Sequence, residues 1–463
     1  MQKLLLPLAA ALLAAGCSMM PKYERPAAPV AGAFPYPSAQ AGTPAAQLPW
    51  QQFFADARLR TLIDRALANN RDLRVAVLNI AQARAQYDIR NADRFPTIGA
   101  QVAGSRTPTS NGGSNTTYTA GLALSAWEID FFGRIASLSE AALAQYFGTE
   151  EGRKAAQVTL VSSVANAWLN LAADEELLAL TQQTLATREE SLRLTRLRFE
   201  NGASSEIDFR LAQSLYESAR ATFAQLQRQR AADINLLAFL VGEPVGPDYT
   251  VGMTTANLTL PDVPAGLPSE VLVRRPDVRQ AEQQLVAANA NIGAARAAFF
   301  PRISLTAGIG TASGDLSGLF KGGSWGFTVA PTLLQPIFDA GRNRAGLASA
   351  EVSRDIAVAQ YERAIQQAFR DVADALAGRA TLTDQVDAQA RVVEAESVRY
   401  RLARLRYENG IASYLDLLDA QRSLFAAEQA LVQVRLARLQ NQVQLYRSLG
   451  GGWTEGDLSR NGA

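Results

Sequence analysis

The amino-acid sequence predicts a membrane β-barrel joined to a barrel of long α-helical coiled coils, with two internal repeats in each chain. Three observations predict this fold class. Landmarks of the first half recur in the same order in the second half, each half holds two segments in which apolar and small or polar residues alternate, and each half holds a long stretch without proline. Alternation with a period of two is typical of strands, and long stretches rich in Ala, Leu, Gln and Glu are typical of helices.

The N-terminus has the features of a lipoprotein signal. Lys3 is followed by an apolar stretch from Leu4 to Leu13, which has secretory length and is too short to cross a bilayer as a helix. Small residues then precede Cys17, the only cysteine in the chain, so it has no disulfide partner. We predict that residues 1–16 are a lipoprotein signal peptide and that Cys17 is acylated. The alternative is an ordinary signal peptide with an incidental cysteine.

The residues after the cysteine indicate how the anchor is joined to the folded protein. Ser18, rather than an aspartate, follows Cys17, which by the usual bacterial sorting rule favours the outer membrane. Residues 17–50 are predicted to be a lipid-anchored, extended leader because they are rich in Pro, Ala and Gly. No later stretch has the roughly 18 apolar residues of a membrane helix, so any crossing of a membrane is predicted to use a β-barrel.

Composition excludes several functional classes. The chain has 45 Lys and Arg against 44 Asp and Glu, a formal net charge of +1 that gives no support to nucleic-acid binding. It contains no histidine, which removes the commonest general base and metal ligand, and it has neither a Walker loop nor a G-x-S-x-G elbow. We therefore predict no catalytic residues, no metal site and no cofactor beyond the covalent lipid at Cys17.

The two halves of the chain share ordered landmarks. The pairs are Asp72-Leu73-Arg74 with Asp277-Val278-Arg279, Phe95-Pro96 with Phe300-Pro301, Gly133-Arg134 with Gly341-Arg342, and Glu200-Asn201-Gly202 with Glu408-Asn409-Gly410. Two unrelated helical domains of similar composition would not share these motifs in the same order. We predict a first repeat over 51–242, a connector over 243–276, a second repeat over 277–450 and a C-terminal tail over 451–463. Each repeat is predicted to hold a helix, a β-hairpin, a long helix, a tip turn and a return helix.

The predicted hairpins span residues 97–126 and 303–334. Their alternating segments are 97–105, 118–126, 303–311 and 325–333. The face opposite the apolar residues is small and polar rather than charged, and segments of about 9–11 residues suit tilted transmembrane strands. The linkers 106–117 and 312–324 resemble extracellular loops in their Ser, Gly, Asn and Thr content. Hairpins on a soluble sandwich are the alternative, and the lipid anchor favours the membrane.

Four strands are too few to enclose a lumen by themselves. Lipid also does not tolerate the unpaired edges that an open sheet would leave. We therefore predict that strands from several copies of the chain combine into one barrel. Three copies would supply twelve strands, an even number within the range of known barrels, although the residues alone do not give the number three.

The proline-free stretches predict very long helices. A continuous helix from Arg134 to Asn201 would be about 100 Å long at 1.5 Å per residue, with Gly148 and Gly152 as expected points of interruption. In the last helix a set of apolar residues steps by seven, which predicts a coiled coil. These residues are Leu418, Phe425, Val432, Leu439 and Tyr446. Side by side around an axis such helices form a tube, and the alternative is a solid antiparallel coiled coil that acts as a spacer.

Tight turns are predicted at 201–205 and 409–413. Gly202 and Gly410 suit the left-handed conformation that ends a helix. Each turn is followed by a Ser-x-x-Asp pattern that predicts a capping box for the return helix. The capping residues are Ser205 and Asp208 in the first repeat and Ser413 and Asp416 in the second.

Together these features resemble the TolC family of outer-membrane factors, and more narrowly its acylated, OprM-like branch. Besides the lipoprotein signal and the duplication, the motifs that carry the resemblance are Trp127-Glu128-Ile129-Asp130-Phe131-Phe132-Gly133-Arg134, Pro336-Ile337-Phe338-Asp339-Ala340-Gly341-Arg342 and Tyr414-Leu415-Asp416-Leu417-Leu418-Asp419-Ala420-Gln421-Arg422-Ser423. The resemblance covers essentially the whole chain after the signal peptide, and the combination of motifs is specific.

The resemblance implies a homotrimer in the outer membrane, with a twelve-stranded barrel and a tunnel of twelve helices that extends into the periplasm. It implies an equatorial belt, which we assign to 45–65, 243–276 and 451–463. It also implies a periplasmic adaptor, or membrane fusion protein, and an inner-membrane transporter of the resistance-nodulation-division type as partners. The implied function is passive conduction of small molecules such as drugs to the outside as the exit channel of a tripartite efflux system.

The resemblance also assigns roles to particular residues. It places Leu415 and Asp419 in the closing constriction of the tunnel and Arg422 in an ion-pair latch, and it makes Gly202 and Gly410 the places where the adaptor docks. The alternative for Asp419 and Arg422 is an ordinary surface pair three residues apart on a helix.

Three other functions are compatible with the sequence. The same architecture serves as an exit duct for protein secretion. A coiled-coil lipoprotein that forms no channel and spaces the envelope is a second alternative. An envelope enzyme is the third, although the sequence contains no catalytic constellation that supports it.

Overall fold

The computed structural model describes residues 18–36, 43–110, 112–246, 249, 252–266, 268 and 274–453. The helices are α1 Trp50–Phe53, α2 Ala57–Asn69, α3 Arg71–Ala92, α4 Arg134–Glu200, α5 Glu206–Val241, α6 Pro276–Ala297, α7 Arg342–Glu408 and α8 Tyr414–Ser448. The strands are β1 Ile98–Pro108, β2 Ser114–Ile129, β3 Arg302–Ser313 and β4 Trp325–Leu334. Short 3-10 helices span Ala45–Gln47 and Leu316–Gly318. The signal peptide, Cys17 and the end of the tail from residue 454 lie outside the described residues.

The chain divides into two compact units. The strand unit contains Leu78–Glu151 and Arg279–Arg363 together with the described residues up to Ala28. The helical unit contains Gly152–Val278 and the parts of the chain from Pro29 to Val77 and from Ala364 onward. Among the described residues, no helix is both long enough and apolar enough to span a membrane.

The two longest helices have the same length. The helices α4 and α7 each contain 67 residues, which corresponds to about 100 Å of helix. The expected interruption of α4 at Gly148 and Gly152 is wrong, because the helix is continuous through both. At Gly148 the side-chain position faces Gln283 of α6 at 3.5 Å, so packing against a neighbouring helix accompanies the glycine.

Both long helices begin in the same way, at an aspartate that precedes a Gly-Arg pair. Asp130 accepts a hydrogen bond from the backbone N–H of Ala136 at 2.7 Å, at the start of α4. Asp339 accepts from the backbone N–H groups of Gly341 and Asn343, both at 2.9 Å, at the start of α7. A carboxylate at a helix N-terminus satisfies donors that have no partner within the helix.

The strand unit holds an antiparallel sheet with the strand order β1-β2-β3-β4. The strands are longer than the alternating segments predicted. The connection between β1 and β2 is only residues 109–113, whereas the sequence predicted a loop over 106–117. Thr116 pairs with Arg106 and Thr117 pairs with Ser105. Polar residues that the sequence predicted to be in a loop therefore extend the hairpin.

The strand register aligns apolar residues of neighbouring strands in rows that cross the whole sheet. One row joins Ala100, Leu122, Ile309 and Phe327, and the next joins Ile98, Leu124, Ala307 and Val329. On the opposite face, one row joins Gln101, Gly121, Gly310 and Gly326. Phe327 is 80% exposed and Ile309 is 53% exposed, so the apolar face has no cover within the described chain.

A β-bulge corrects the alternation in β2. The register between β2 and β3 shifts between Leu124 and Trp127, and Ala126 adopts a positive φ of 44°. The prediction that the alternation continues unbroken through Ala126 is therefore wrong. The extra residue keeps Trp127 and Ile129 on the apolar face, where an uninterrupted strand would have placed them on the polar face.

The leader packs against a helix of the strand unit. The side chains of Tyr23 and Arg25 donate to the carboxylate of Glu282 on α6, with Arg25 making two bonds of 2.7 and 2.9 Å. Asn289 donates to the backbone carbonyl of Pro21 at 2.8 Å. The backbone of Met20 lies so close to α6 that a side chain at Gly293 would come within 2.8 Å of it. This part of the predicted extended leader is thus held in a defined position.

The core of the helical unit is built around aromatic residues near the start and the end of the chain. Phe53 stacks on Tyr446 with ring centroids 3.9 Å apart, and the Tyr446 hydroxyl donates to the carbonyl of Leu48 at 2.7 Å. Trp50 and Trp168 are fully buried in the same cluster. Met253, Val263 and Ala265, in the described part of the predicted connector, belong to it as well.

Candidate functional site

The two tip turns have nearly the same geometry. Gly202 has a φ of +69° and Gly410 a φ of +70°. After each glycine the next backbone N–H donates back into the helix, from Ala203 to Arg198 at 2.7 Å and from Ile411 to Arg406 at 2.8 Å. This is the pattern that ends a helix in a left-handed residue. No atom lies within 4 Å of the side-chain position of either glycine, so both tips are open to a partner.

Both return helices begin with a reciprocal capping box. Ser205 accepts from the backbone N–H of Asp208 at 3.1 Å, and Asp208 accepts from the backbone N–H of Ser205 at 3.3 Å. Ser413 and Asp416 repeat the pattern at 3.2 and 3.1 Å. The carboxylates of Asp208 and Asp416 therefore accept the hydrogen bonds of helix caps, as the sequence predicted.

Each tip also exposes large apolar side chains. Ile207 and Ile411 are among the most exposed of them, at 77% and 69%. The others that are exposed near the turns are Leu197, Phe199, Leu405 and Leu415. Each tip therefore leaves apolar surface uncovered in the single chain.

Leu415, Asp419 and Arg422 lie on the first turns of α8, where Leu415 and Arg422 are exposed and Asp419 is half-buried in the single chain. Asp419 accepts a hydrogen bond from Arg422 at 3.2 Å, so the predicted pair is formed. Its other carboxylate oxygen accepts from Arg399 of α7. The acid is thus held between two guanidinium groups, one on its own helix and one on the neighbouring helix.

Arg399 was not found from the sequence. It also donates to Glu396 at 3.1 Å and to Ser423 at 3.3 Å, so it joins α7 to α8 at two points. Hydrogen bonds from Arg399, and then from Arg422, hold the pKa of Asp419 below its ordinary value. The same contacts with Asp419 and Glu396 raise the pKa of Arg399. Asp419 is therefore ionised at neutral pH.

Contacts from α4 to the helices of the second repeat surround the same region. Arg198 donates to the hydroxyl of Tyr407 at 2.5 Å, and the hydroxyls of Ser191 and Tyr414 are 2.5 Å apart. Arg188 lies with its guanidinium carbon 5.2 Å from the centre of the Phe425 ring. Sequence reasoning named none of these contacts, because each joins residues that are hundreds of positions apart.

The first repeat does not reproduce the charged cluster. Leu211 and Ser214 stand where the repeat pattern would place Asp419 and Arg422. Leu211 is partly buried and packs against a cluster that contains Leu215 and Leu418. The acidic residue and its two arginines are thus a feature of the second repeat alone, and the shared scaffold does not require them.

Known proteins match this chain over almost its full length. A family described as "Outer membrane efflux protein" matches residues 62–243 and 267–451. The toluene efflux pump outer membrane protein TtgC and the antibiotic efflux pump outer membrane protein ArpC, both from Pseudomonas putida, are each 47% identical over 98% of this chain and 97% of their own length. The open-state crystal structure of the MtrE outer membrane channel from Neisseria gonorrhoeae is 42% identical, with a TM-score of 0.87 over 94% of this chain and 98% of that one.

The long helices, the four-stranded sheet and the paired tips thus define an outer-membrane efflux channel of the TolC-like type. The chain belongs to the outer membrane efflux protein family. This confirms the resemblance drawn from the sequence motifs and the predicted function in an efflux pump of the outer membrane.

Proposed function

We propose that three copies of this chain form one lipid-anchored channel that conducts small molecules out of the cell. The single observation that carries the proposal is the open sheet. Among the described residues β1 and β4 each pair with a strand on one side only, and an apolar face runs across all four strands. An exposed apolar sheet with two free edges is stable in lipid only when copies join edge to edge and close it.

The two faces of the sheet support a water-filled path. The row of Gln101, Gly121, Gly310 and Gly326 offers no large apolar side chain. In a closed barrel the apolar face meets lipid and the small, polar face meets the lumen. Three copies supply twelve strands, and the four helices α4, α5, α7 and α8 of each copy supply twelve helices to a tunnel.

The seam of α8 supports a hollow arrangement. Leu418, Val432 and Leu439 of the heptad pattern are buried, which is what a coiled coil requires. Arg422 lies in the alternate seam position of the same heptads, two heptads before Leu436 and three before Val443, and is exposed. A charged side chain is unfavourable in the dry seam of a two-helix spacer, whereas it is well solvated on a helix that lines a water-filled tunnel.

We assign the closing constriction to Leu415 and Asp419, with Arg399 and Arg422 as its latch. A ring of leucines at the axis of a trimer narrows and dewets a pore. A ring of aspartates alone would repel itself, and the two arginines on each Asp419 compensate this repulsion. The latch joins α7 to α8, so opening requires the contact between Arg399 and Asp419 to break.

We further propose that the tips at Gly202 and Gly410 bind a periplasmic adaptor, which joins the channel to an inner-membrane transporter of the resistance-nodulation-division type. The open side-chain positions and the exposed apolar residues of both tips support a docking surface. The cargo is expected to be small organic molecules, because the two Pseudomonas putida relatives are named for efflux of toluene and of antibiotics.

Acylation of Cys17 would anchor each copy in the outer membrane. Several acyl chains give a stable anchor where one chain binds only marginally. The contacts of Tyr23 and Arg25 with Glu282 begin six residues after the cysteine and support a fixed attachment of the leader.

The mass of the purified full-length protein in detergent tests the proposal. Native mass spectrometry should find three chains, each carrying the mass of its lipid. A Cys17→Ser control should lose the lipid mass and keep the oligomeric state in detergent, because the sheet edges and not the lipids join the copies. A stable monomer of the acylated protein would refute the shared channel.

A further inference from the structure

Two aspartates are buried close together between α4 and α5 of the helical unit. Asp174 of α4 and Asp233 of α5 are each only 7% exposed, already within a single chain. They lie beside an apolar cluster that contains Ala173 and Leu177 of α4 and Val432 of α8. A buried carboxylate is costly unless it is paired or hydrogen-bonded, so this position needs an explanation.

The charged neighbours are already paired with other groups. Arg230 of α5 lies 2.5 Å from the carboxylate of Glu175, which follows Asp174 on α4. On the side of α8, Arg435 lies 3.8 Å from one oxygen of Glu176. The other oxygen of Glu176 accepts from the backbone and the hydroxyl of Thr255, both at 2.7 Å.

These neighbouring pairs leave the two aspartates without a cation of their own. In the part of the chain that the structure describes, no salt bridge includes Asp174 or Asp233. The full positive charge that faces Asp174 is Arg230, which Glu175 neutralises. The apolar cluster on the α8 side supplies no charge.

The surroundings of the two carboxyl groups differ. Gln229 donates to both oxygens of Asp233 at 3.3 Å, so each of these oxygens has a donor. The Oδ2 atom of Asp174 is buried, and no donor among the described residues reaches it. Of the two carboxyl groups, Asp174 is therefore the one with an oxygen that lacks a partner, and a proton bound there can be donated to Asp233.

The same asymmetry determines the titration of the pair. Burial, followed by the hydrogen bond with Asp233 and the repulsion from the charges of Asp233 and Glu175, raises the pKa of Asp174 to about 7. Arg230 acts in the opposite direction and does not cancel these effects. Asp174 thus changes its charge close to neutral pH, whereas an exposed aspartate does so near pH 4.

We propose that Asp174 and Asp233 form a proton-binding site that tightens the contact between α4 and α5 when the proton is bound and weakens it when the proton leaves. With the proton, one O–H group of Asp174 donates to an ionised carboxylate, which is a strong hydrogen bond. Without it, two buried carboxylates face each other with no cation between them. The inference goes beyond the proposed channel, since it makes the pairing of two of its helices depend on pH.

The sign of the effect follows from the raised pKa. Between the ordinary pKa of an aspartate and the raised pKa of Asp174, the folded protein binds more protons than the unfolded chain. The contribution of this site to stability is therefore largest at acid pH, falls as the pH rises towards about 7, and stays constant above it.

Difference infrared spectroscopy of the full-length protein in detergent tests the site directly. The wild type should show the carbonyl band of a protonated carboxylic acid that disappears as the pH rises through about 7. Asp174→Asn should remove that band. In Asp233→Asn the band should titrate at lower pH, because the charge that repels an ionised Asp174 is gone. Glu189→Gln, an exposed carboxylate on the same helix, is the matched control and should leave the band unchanged.

Thermal unfolding of the same four proteins gives the second measurement. Between about pH 5 and about pH 8, the midpoint of the wild type and of Glu189→Gln should fall more steeply with rising pH than that of Asp174→Asn. If Asp174→Asn does not fold, the band shift in Asp233→Asn still decides the question. A wild type without a titrating band near neutral pH, or an unshifted band in Asp233→Asn, overturns the proposal.

Discussion

At the scale of residues, the arrangement around Asp419 distinguishes this chain from a plain pair of coiled coils. An exposed pair three residues apart, such as Asp419 with Arg422, contributes little to the stability of a helix. The added contact with Arg399 joins Asp419 to a second helix. The family resemblance places the constriction of the tunnel at this point. We expect this contact to control opening and to have little effect on folding.

Asp419→Asn should open the channel. Removing the charge breaks the contact with Arg399, so the single-channel conductance in a planar bilayer should rise several-fold while the thermal midpoint stays the same. Glu190→Gln is the control, because it removes the acid of an exposed ion pair with Arg193 on α4. Equal conductance in the wild type and Asp419→Asn would remove the latch role.

The latch also predicts how conductance depends on pH. The arginines hold the pKa of Asp419 below its ordinary value, so the contact is complete above the ordinary range of an aspartate. It is lost only as the pH falls through the lowered pKa. Wild-type conductance should therefore be flat from neutral pH down to about 4 and rise in stronger acid, and the Asp419→Asn variant should show no such rise. A wild type that opens between neutral pH and pH 4 would show that another group controls the pore.

Substitutions at the tip glycine Gly410 test the proposed binding of the adaptor. Gly410→Ala keeps the space at the tip and introduces only backbone strain of about 1–2 kcal/mol. Gly410→Arg adds the same strain with a bulky charge at the docking surface. Copurification of the adaptor should drop at least about tenfold for the arginine variant and little for the alanine variant, with the oligomer intact in both. Equal adaptor binding by the two variants would place the docking surface elsewhere.

At the scale of elements, the sequence predicted the turns and helix limits well and the strands less well. Asn-Gly turns and Ser-x-x-Asp caps act through neighbouring residues, so the predicted turns 201–205 and 409–413 agree with helices that end at Glu200 and Glu408. The bulge at Ala126 depends on pairing with β3, which lies far along the chain, and local alternation contains no sign of it.

The same distinction explains what was missed at the sites. Asp419 and Arg422 lie three residues apart on one helix and are visible as a pair in the sequence. Arg399 lies 20 residues before its acid partner, on another helix. Asp174 and Asp233 are on separate helices too, and each alone resembles one more polar residue on an amphipathic surface. Only the packing of the helices brings these groups together.

The sheet depends on a close approach between two glycines. Gly121 and Gly310 lie opposite each other, and a side chain added to Gly310 would come within 2.6 Å of the Cα atom of Gly121. Gly310→Ala should therefore destabilise the sheet by about 1–3 kcal/mol and reduce the yield of assembled protein. Gly326→Ala in the next strand has free space and should assemble normally. Normal assembly of Gly310→Ala would contradict the register of β2 and β3.

At the scale of the whole molecule, one requirement connects the sheet, the helices and the tips. Among the described residues, the sheet of a single chain has an apolar face that is unfavourable in water and two unpaired strand edges that are unfavourable in lipid. The proposed association of copies would remove the edges and, in the same step, would arrange the long helices around a common axis. The chain belongs to the outer membrane efflux protein family, and the MtrE outer membrane channel is a similar protein of known structure.

Ion conductance of the purified oligomer in a planar lipid bilayer tests the central claim most directly. The account predicts discrete conductance steps for the wild type, and larger or longer openings for Asp419→Asn in the same bilayer. A correctly assembled, acylated oligomer that inserts and carries no current, both as wild type and as Asp419→Asn, would contradict the claim that the copies enclose a path for water.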